Sequence, residues 1–297
     1  MRLITRADLD GLACAAILHR HEEIDDLLLT HPQEILDGRI EFREDDIIAN
    51  LPGDARCAKC FDHRPLERGA TGEVEGAREE AASAAELVWR YYGEDPGFAE
   101  LVRAASRLDS ADLEPGDVLD PQGYVLFGYT LDARTGLGAF QSYFRSCIDW
   151  VSTMPIEQVL SQSEVRDRVR RMRDSEAGFR RALLAHSTVD GNVVITDFRA
   201  HRPPPIGNRF LVYCLFPDAN VSLRLHWGHD RRHLVVAIGH SIFNRTCPTD
   251  VGALMARYGG GGHDRAGAAP LLVEEAEEQI EEIVAALKTH AEEMLPA

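Results

Sequence analysis

The stretch RLITRADLDGLACAAILH, residues 2–19, decides the fold. It passes from a short apolar strand (Leu3 to Thr5) through a polar turn to an apolar helix opening at Gly11. The turn carries Asp8 and Asp10, two carboxylates one residue apart beside a glycine that lets the backbone bend. Hard divalent cations take oxygen ligands of this kind, whereas the bland reading is that one aspartate merely caps the helix. Outward from there, DIIANLP (46–52) and KCFDHR (59–64) read as short buried strands that end in polar residues. GAREEAASAAELVWRYYG (76–93) reads as an alanine-rich helix closed by Gly93. Strands alternating with helices predict an α/β fold with a parallel sheet, whose ligands sit beyond the strand carboxyl ends. Asp8, Asp10, Asn50, Asp62 and His63 all fall at such ends.

The second half has a different texture. PIEQVLSQSEVRDRVRRMRDSEAGFRRALL (155–184) has helical periodicity and a charged face, so it is expected to form one long connecting helix. NVVITDF, RFLVYCLF, NVSLRLHWG and HLVVAIG follow as β-rich runs separated by Pro, Gly, Asn or Asp, which predicts a mixed or antiparallel sheet. A closing acidic helix over 274–295 places Ile280, Ile283, Val284 and Leu287 on one face. The expected organisation is an N-terminal domain over 1–150, a connecting helix over 151–185 and a smaller C-terminal α/β domain over 186–297.

The 297 residues carry a formal net charge of −17. The surface as a whole therefore repels polyanions, which argues against a general nucleic-acid coat protein and requires a local cationic site for any phosphorylated ligand. The start has no signal-peptide or transit-peptide character and no apolar run is long enough to span a bilayer, so the expected location is the cytoplasm. Six cysteines without a secretory signal are expected as reduced thiols. Cys57 and Cys60 have CxxC spacing, but with no second pair they are read as packing residues.

Three further constellations could carry chemistry. Asp62-His63-Arg64 sets an imidazole beside a carboxylate at a strand end; its bland reading is a loop with a surface histidine. Arg107-Leu108-Asp109-Ser110-Ala111-Asp112 closes a helical run with a carboxylate pair, or simply terminates it. Gly259 to Gly262, followed by His263 and Arg265, offers backbone N–H groups and cationic side chains to an anion, against the alternative of a flexible loop. Arg209 and Arg245 stand at the edges of C-terminal strands and could line a phosphate cleft or face solvent. His226, His229, His233 and His240 lack tight ligand spacing and are read as surface or packing residues. Trp89, Tyr91, Tyr92 and Trp150 are expected in the core, an aromatic in the cleft being the alternative.

The four constellations occur in one order along essentially the whole chain, TRADLDG, FDHR, RLDSADL and GGGGHDRAG. In this the sequence resembles the DHH phosphoesterase superfamily, whose members include inorganic pyrophosphatases, exopolyphosphatases, single-strand exonucleases, nano-RNases and phosphodiesterases of cyclic or linear dinucleotides. It looks most like the exopolyphosphatase-like group. The resemblance implies a metal-dependent hydrolase of phosphodiester or phosphoanhydride bonds. The implied substrate is small and phosphorylated: a short single-stranded oligonucleotide, a dinucleotide or polyphosphate. A non-catalytic nucleotide-binding protein with a degenerate metal site is the alternative.

Against the family pattern, Arg6 stands where the first motif has histidine, Asn50 where a strand-end aspartate bridges two metals, and Arg64 where the name-giving motif ends in histidine. Asp8, Asp10, Asp62, His63 and Asp109 match. The resemblance implies metal ligation by Asp8, Asp10, His63 and Asp109, with Asp62 orienting its neighbour. Arg6 and Arg64 would then act with His63 and Asp62 in catalysis. Gly260, Gly261, Gly262, His263, Arg265 and Arg245 would bind substrate. One divalent ion is expected, Mn2+ before Mg2+, and two if Asp46 rather than Asn50 faces the site. A homodimer is left open, since nothing in the residues decides it.

Overall fold

In the computed structural model, residues 1–64, 74–131, 140–228 and 231–292 are described, side chains through residue 288. The elements run β1 (Arg2–Thr5), α1 (Leu9–His21), β2 (Asp26–Leu29), α2 (Pro32–Leu36), β3 (Asp46–Ala49), β4 (Lys59–Asp62), β5 (Glu75–Arg78), α3 (Ala84–Tyr91), α4 (Ala99–Asp109), α5 (Pro115–Leu119), α6 (Gly123–Tyr129), α7 (Phe140–Thr153) and α8 (Ile156–Ser161). They continue with α9 (Ser163–His186), β6 (Ser187–Asp190), β7 (Val193–Asp197), α10 (Leu211–Leu215), β8 (Val221–Trp227), β9 (His233–His240), α11 (Val251–Ala256), β10 (Gly261–His263), β11 (Ala266–Leu272) and α12 (Ala276–Glu292). Two compact units result, residues 1–112 with 121–172 and residues 113–120 with 173–297.

The first unit holds a five-stranded sheet in the order β2-β1-β3-β4-β5, every pair parallel. The chain goes from β1 outward to β2, returns across β1 to β3, and then builds in the other direction. This reversal between β1 and β3 is where open α/β sheets leave a crevice at their carboxyl ends. Leu3, Ile47 and Phe61 are fully buried and join Leu12, Ile17, Leu87, Phe127 and Phe144 in one apolar core. Each such aliphatic or aromatic side chain contributes about 1.5–3 kcal/mol by leaving water. At the amino-terminal end of the sheet Arg2 donates Nε and Nη2 to Asp46, 2.7 Å each, and Asp46 is fully buried there. Asp46 is thus spent on a structural ion pair at the end opposite Asn50.

The helix expected over 76–93 begins only at Ala84, capped by Ser83, whose Oγ accepts from Glu86 N at 3.1 Å. Glu75 to Arg78 instead form the edge strand β5, with Gly76 at φ +124° against the carbonyl of Cys60. A Cβ at Gly76 would lie 2.1 Å from that oxygen, so a Gly76→Ala variant is expected to lose about 2–4 kcal/mol of stability. Urea denaturation checks this; an unchanged midpoint would show that β5 adds nothing to the sheet.

All six cysteines are free. Cys57 and Cys60 are buried beside Ile4, Ile48 and Leu51, and burial pushes both thiols up to about 12, which fits the packing reading. Trp89 and Trp150 pack against the core, whereas Tyr91 is 41% exposed and donates to Glu75 at 2.6 Å. Tyr92 donates to Glu22, which also holds Lys59.

The second unit is built on a six-stranded sheet, β10-β11-β9-β8-β7-β6. The β7–β8 pair is parallel and the others antiparallel, so the sheet is mixed. RFLVYCLF, expected as a strand, forms α10 instead; a short apolar run cannot be told from a buried helical turn by periodicity alone. Its Tyr213 hydroxyl reaches the Gly239 carbonyl at 2.6 Å. The expected single helix over 155–184 is two, α8 and α9, broken at Gln162. Ile280, Ile283, Val284 and Leu287 are buried as the spacing required. Among the described residues no helix is long and apolar enough to cross a membrane.

Candidate active site

Thr5 ends β1, and the turn that follows places Asp8 as N-cap of α1, its Oδ1 accepting from Gly11 N at 2.9 Å. A Cβ at Gly11 would lie 2.0 Å from the Arg6 carbonyl, so only glycine lets the helix start this close to the strand. The capping reading of Asp8 is therefore correct, but it is not the whole role. Asn50 Nδ2 donates to the same Oδ1 at 2.9 Å, and Arg6 Nε lies 3.2 Å from Oδ2. Three donors thus occupy the Asp8 carboxylate. Burial pushes Asp8 above the usual carboxylate range, and Arg6 and the Gly11 N–H offset part of that.

Asn50 follows β3 with φ +59°, a left-handed conformation that asparagine tolerates better than most residues. Because a carboxylate only accepts, the Asn50 amide must turn its nitrogen toward Asp8. Its carbonyl oxygen is then left buried without a hydrogen-bond partner among the described residues. The hydroxyl of Thr5 is in the same state.

Asp10 is the second residue of α1, in its first turn, and is 2% exposed. Its Oδ1 and Oδ2 accept from Ala85 N (2.7 Å) and Ala84 N (3.0 Å), the first free N–H groups of α3. A carboxylate at a helix N-terminus is favoured there. Burial first, and the neighbouring Asp8 and Asp109 next, still push Asp10 up to about 7.

His63 follows β4 and is 4% exposed. Its Nε2 is 2.9 Å from Asp109 Oδ2 and its Nδ1 is 3.9 Å from Asp10 Oδ2, Nδ1 having no hydrogen-bond partner among the described residues. Asp109 ends α4. Burial opposes its ionisation, but the His63 hydrogen bond and the Arg64 guanidinium outweigh it and hold Asp109 below the usual range. Arg64 donates to Asp109 Oδ2 and, at 3.2 Å, to the Asp109 carbonyl. Asp62 accepts from Arg64 N at 3.0 Å, so its carboxylate shapes the turn, while the His63 ring nitrogens face Asp109 and Asp10.

Asp10, His63 and Asp109 present ligand atoms within 4.8 Å of one another, two of the residues buried and one half-buried. Two carboxylates and an imidazole, one ring nitrogen orphaned, are oxygen and nitrogen donors of the kind that could hold a divalent cation. Asp8 stands outside this set, held by Arg6 and Asn50.

On the second unit, Gly261, Gly262 and His263 form the edge strand β10, exposed along its length, instead of a flexible loop. Gly260 N is used by the Met255 carbonyl at 3.0 Å. A Cβ at Gly260 or Gly262 would lie 2.1 or 2.2 Å from the carbonyls of Ala268 and Ala266, so the glycines also serve close packing on β11. His263 and Arg265 are exposed, and Arg265 lies 3.6 Å from Asp264. Arg245 donates to the Ile242 carbonyl at 2.9 Å. His226, His233 and His240 lie on β8 and β9, His240 with burial holding it below its ordinary range; His229 falls outside the described residues.

Sequence reasoning missed the α3 N-terminus as the holder of Asp10. The Ser83-x-x-Glu86 spacing is a helix-start signal, but nothing local says which distant carboxylate that helix will meet.

No protein-family model matches the chain, and no curated protein matches it in sequence. Among solved structures, the chain is 34% identical to the pGpG-specific phosphodiesterase PggH from Vibrio cholerae, with a TM-score of 0.86, covering 97% of this chain and 99% of that one. It is 13% identical to the DHH domain of a member of the S1p family of ribosomal proteins, TM-score 0.62, over 97% and 86% of the two chains. It is 14% identical to RecJ from Thermus thermophilus in complex with Mn2+, TM-score 0.56, over 96% of this chain and 52% of that one. The last two likenesses bear on the fold alone.

Proposed function

The chain belongs to the DHH phosphoesterase family, and from that premise we propose that it is a cation-dependent phosphodiesterase that cleaves a short linear dinucleotide carrying a 5′-phosphate, with pGpG as the first candidate. The observation that carries the chemistry is the Asp10–His63–Asp109 cluster with its orphaned Nδ1. The choice of substrate is supported by end-to-end likeness to a pGpG-specific enzyme.

Asp10, His63 and Asp109 would hold one divalent ion, Mn2+ before Mg2+, because Asp8 is already neutralised by Arg6 and capped by Asn50. Such an ion supplies Lewis acidity to the phosphoryl group and a means of ionising water at neutral pH. Arg6 gives the site a fixed guanidinium, suited to bidentate contact with phosphoryl oxygens and to the charge that develops on them. His63 and Asp109 fix each other's orientation. Gly260, Gly261, Gly262, His263, Arg265 and Arg245 are assigned to the terminal phosphate on the second unit. With a net charge of −17, long single strands are disfavoured and a ligand of two or three phosphates is preferred.

The test is turnover of pGpG, longer oligoribonucleotides, polyphosphate and a chromogenic phosphodiester, each with and without Mn2+. The expected result is Mn2+-dependent release of GMP from pGpG, at least about tenfold preferred over the longer substrates, the ratio one lost phosphate contact would give. Binding of pGpG without turnover of anything would sink the enzyme reading and leave a nucleotide-binding protein; cleavage of polyphosphate alone would overturn the substrate class.

A further inference from the structure

Asp109 Oδ2 is occupied twice. His63 Nε2 and the Arg64 guanidinium converge on the same oxygen, and Arg64 also reaches the Asp109 carbonyl at 3.2 Å. The two donors differ in their freedom. His63 is 4% exposed and packed in place, whereas the Arg64 side chain is 55% exposed. The Arg64 backbone is tethered separately, its N–H held by Asp62 at 3.0 Å, so the side chain can swing while its root stays fixed.

A divalent ion ligated by Asp109 and a guanidinium bound to the same carboxylate oxygen repel each other in a half-buried site. Arg6 does not relieve this, because it is a further cation and its Nε holds Asp8, not Asp109, at 3.2 Å. We propose that Arg64 is a resident counter-ion which occupies Asp109 in the cation-free protein, leaves it when the ion arrives, and then turns to a substrate phosphate. The exchange limits the rise in the site's charge to one unit instead of two and couples cation uptake to presentation of a phosphate-binding guanidinium. No covalent step is involved. The inference rests on the reading of Asp10, His63 and Asp109 as the cation site.

Calorimetric titration of the full chain with MnCl2 tests it, comparing the wild type with Arg64→Met and Arg64→Lys. Removing the competitor is expected to tighten Mn2+ binding by about tenfold in Arg64→Met, and lysine is expected to restore affinity toward the wild type. Inorganic phosphate is expected to bind the Mn2+-loaded Arg64→Met protein more weakly than the loaded wild type. Unchanged or weaker Mn2+ affinity in Arg64→Met overturns the exchange while leaving the cation site intact. Tighter Mn2+ with unchanged phosphate affinity removes the phosphate role. Absence of Mn2+ binding to the wild type itself overturns the cation site and the exchange with it. Because Arg64 is half exposed and outside the core, circular dichroism should show all three proteins equally folded.

Discussion

Asp10→Asn is expected to abolish Mn2+-dependent hydrolysis, with kcat/KM down on the order of 10³-fold or more, the loss of several kcal/mol of charge stabilisation. It is also expected to remove the rise in Tm that Mn2+ gives the wild type. Asparagine keeps one acceptor for Ala85 N but turns an N–H toward Ala84 N, so some destabilisation is expected beside the functional loss. Asp10→Ala leaves both buried N–H groups unpaired and should cost more. An Asp10→Asn protein that still binds Mn2+ and turns over substrate would remove Asp10 from the site.

The same residue sets the pH dependence. Asp10 is pushed up to about 7 by burial and by its acidic neighbours, from an ordinary value near ~4. Folded cation-free protein therefore holds a proton between about 4 and 7 that the unfolded chain has released, so Asp10's contribution to stability falls as pH rises through that window. Cation binding must displace the proton. Mn2+ affinity is accordingly expected to drop by about tenfold per pH unit below 7 and to level off above it, measurable by titration at pH 5.5, 6.5 and 7.5. A flat profile would place the proton elsewhere.

Arg6→His combined with Asn50→Asp is expected to raise the Mn2+ stoichiometry from one to two per chain. In the wild type Asp8 is filled by Gly11 N, Asn50 Nδ2 and Arg6 Nε. The double change removes two of those three donors, the guanidinium and the Asn50 amide, and sets a second carboxylate against the first at the junction of β1 and β3. Two adjacent carboxylates out of water cannot both ionise without a cation between them, so the cation-free double variant should melt below the wild type and gain more from Mn2+. A stoichiometry that stays at one would show that Asp8 and position 50 do not share an ion.

What the sequence by itself determined is local. The apolar strand, the Asp8-x-Asp10-Gly11 turn and the apolar helix after it are readable because a polar, glycine-bearing turn separates a short apolar run from a longer one, and Gly11 alone fits the bend. The order of the four constellations named the family. Short apolar runs failed where only partners decide: Leu211 to Leu215 form a helix that buries Leu211, Val212 and Tyr213, and Gly76 lies in a strand packed on the Cys60 carbonyl. The tertiary structure alone decided which aspartate meets which partner. Asp46 opens β3 and Asn50 follows its last residue, four positions on, and the extended strand between carries them to opposite ends of the sheet. Arg2 takes the first and Asp8 the second. The division of the acidic groups between a cation cluster and a guanidinium pair follows from that separation, through contacts between residues 42 to 99 positions apart that no local pattern encodes.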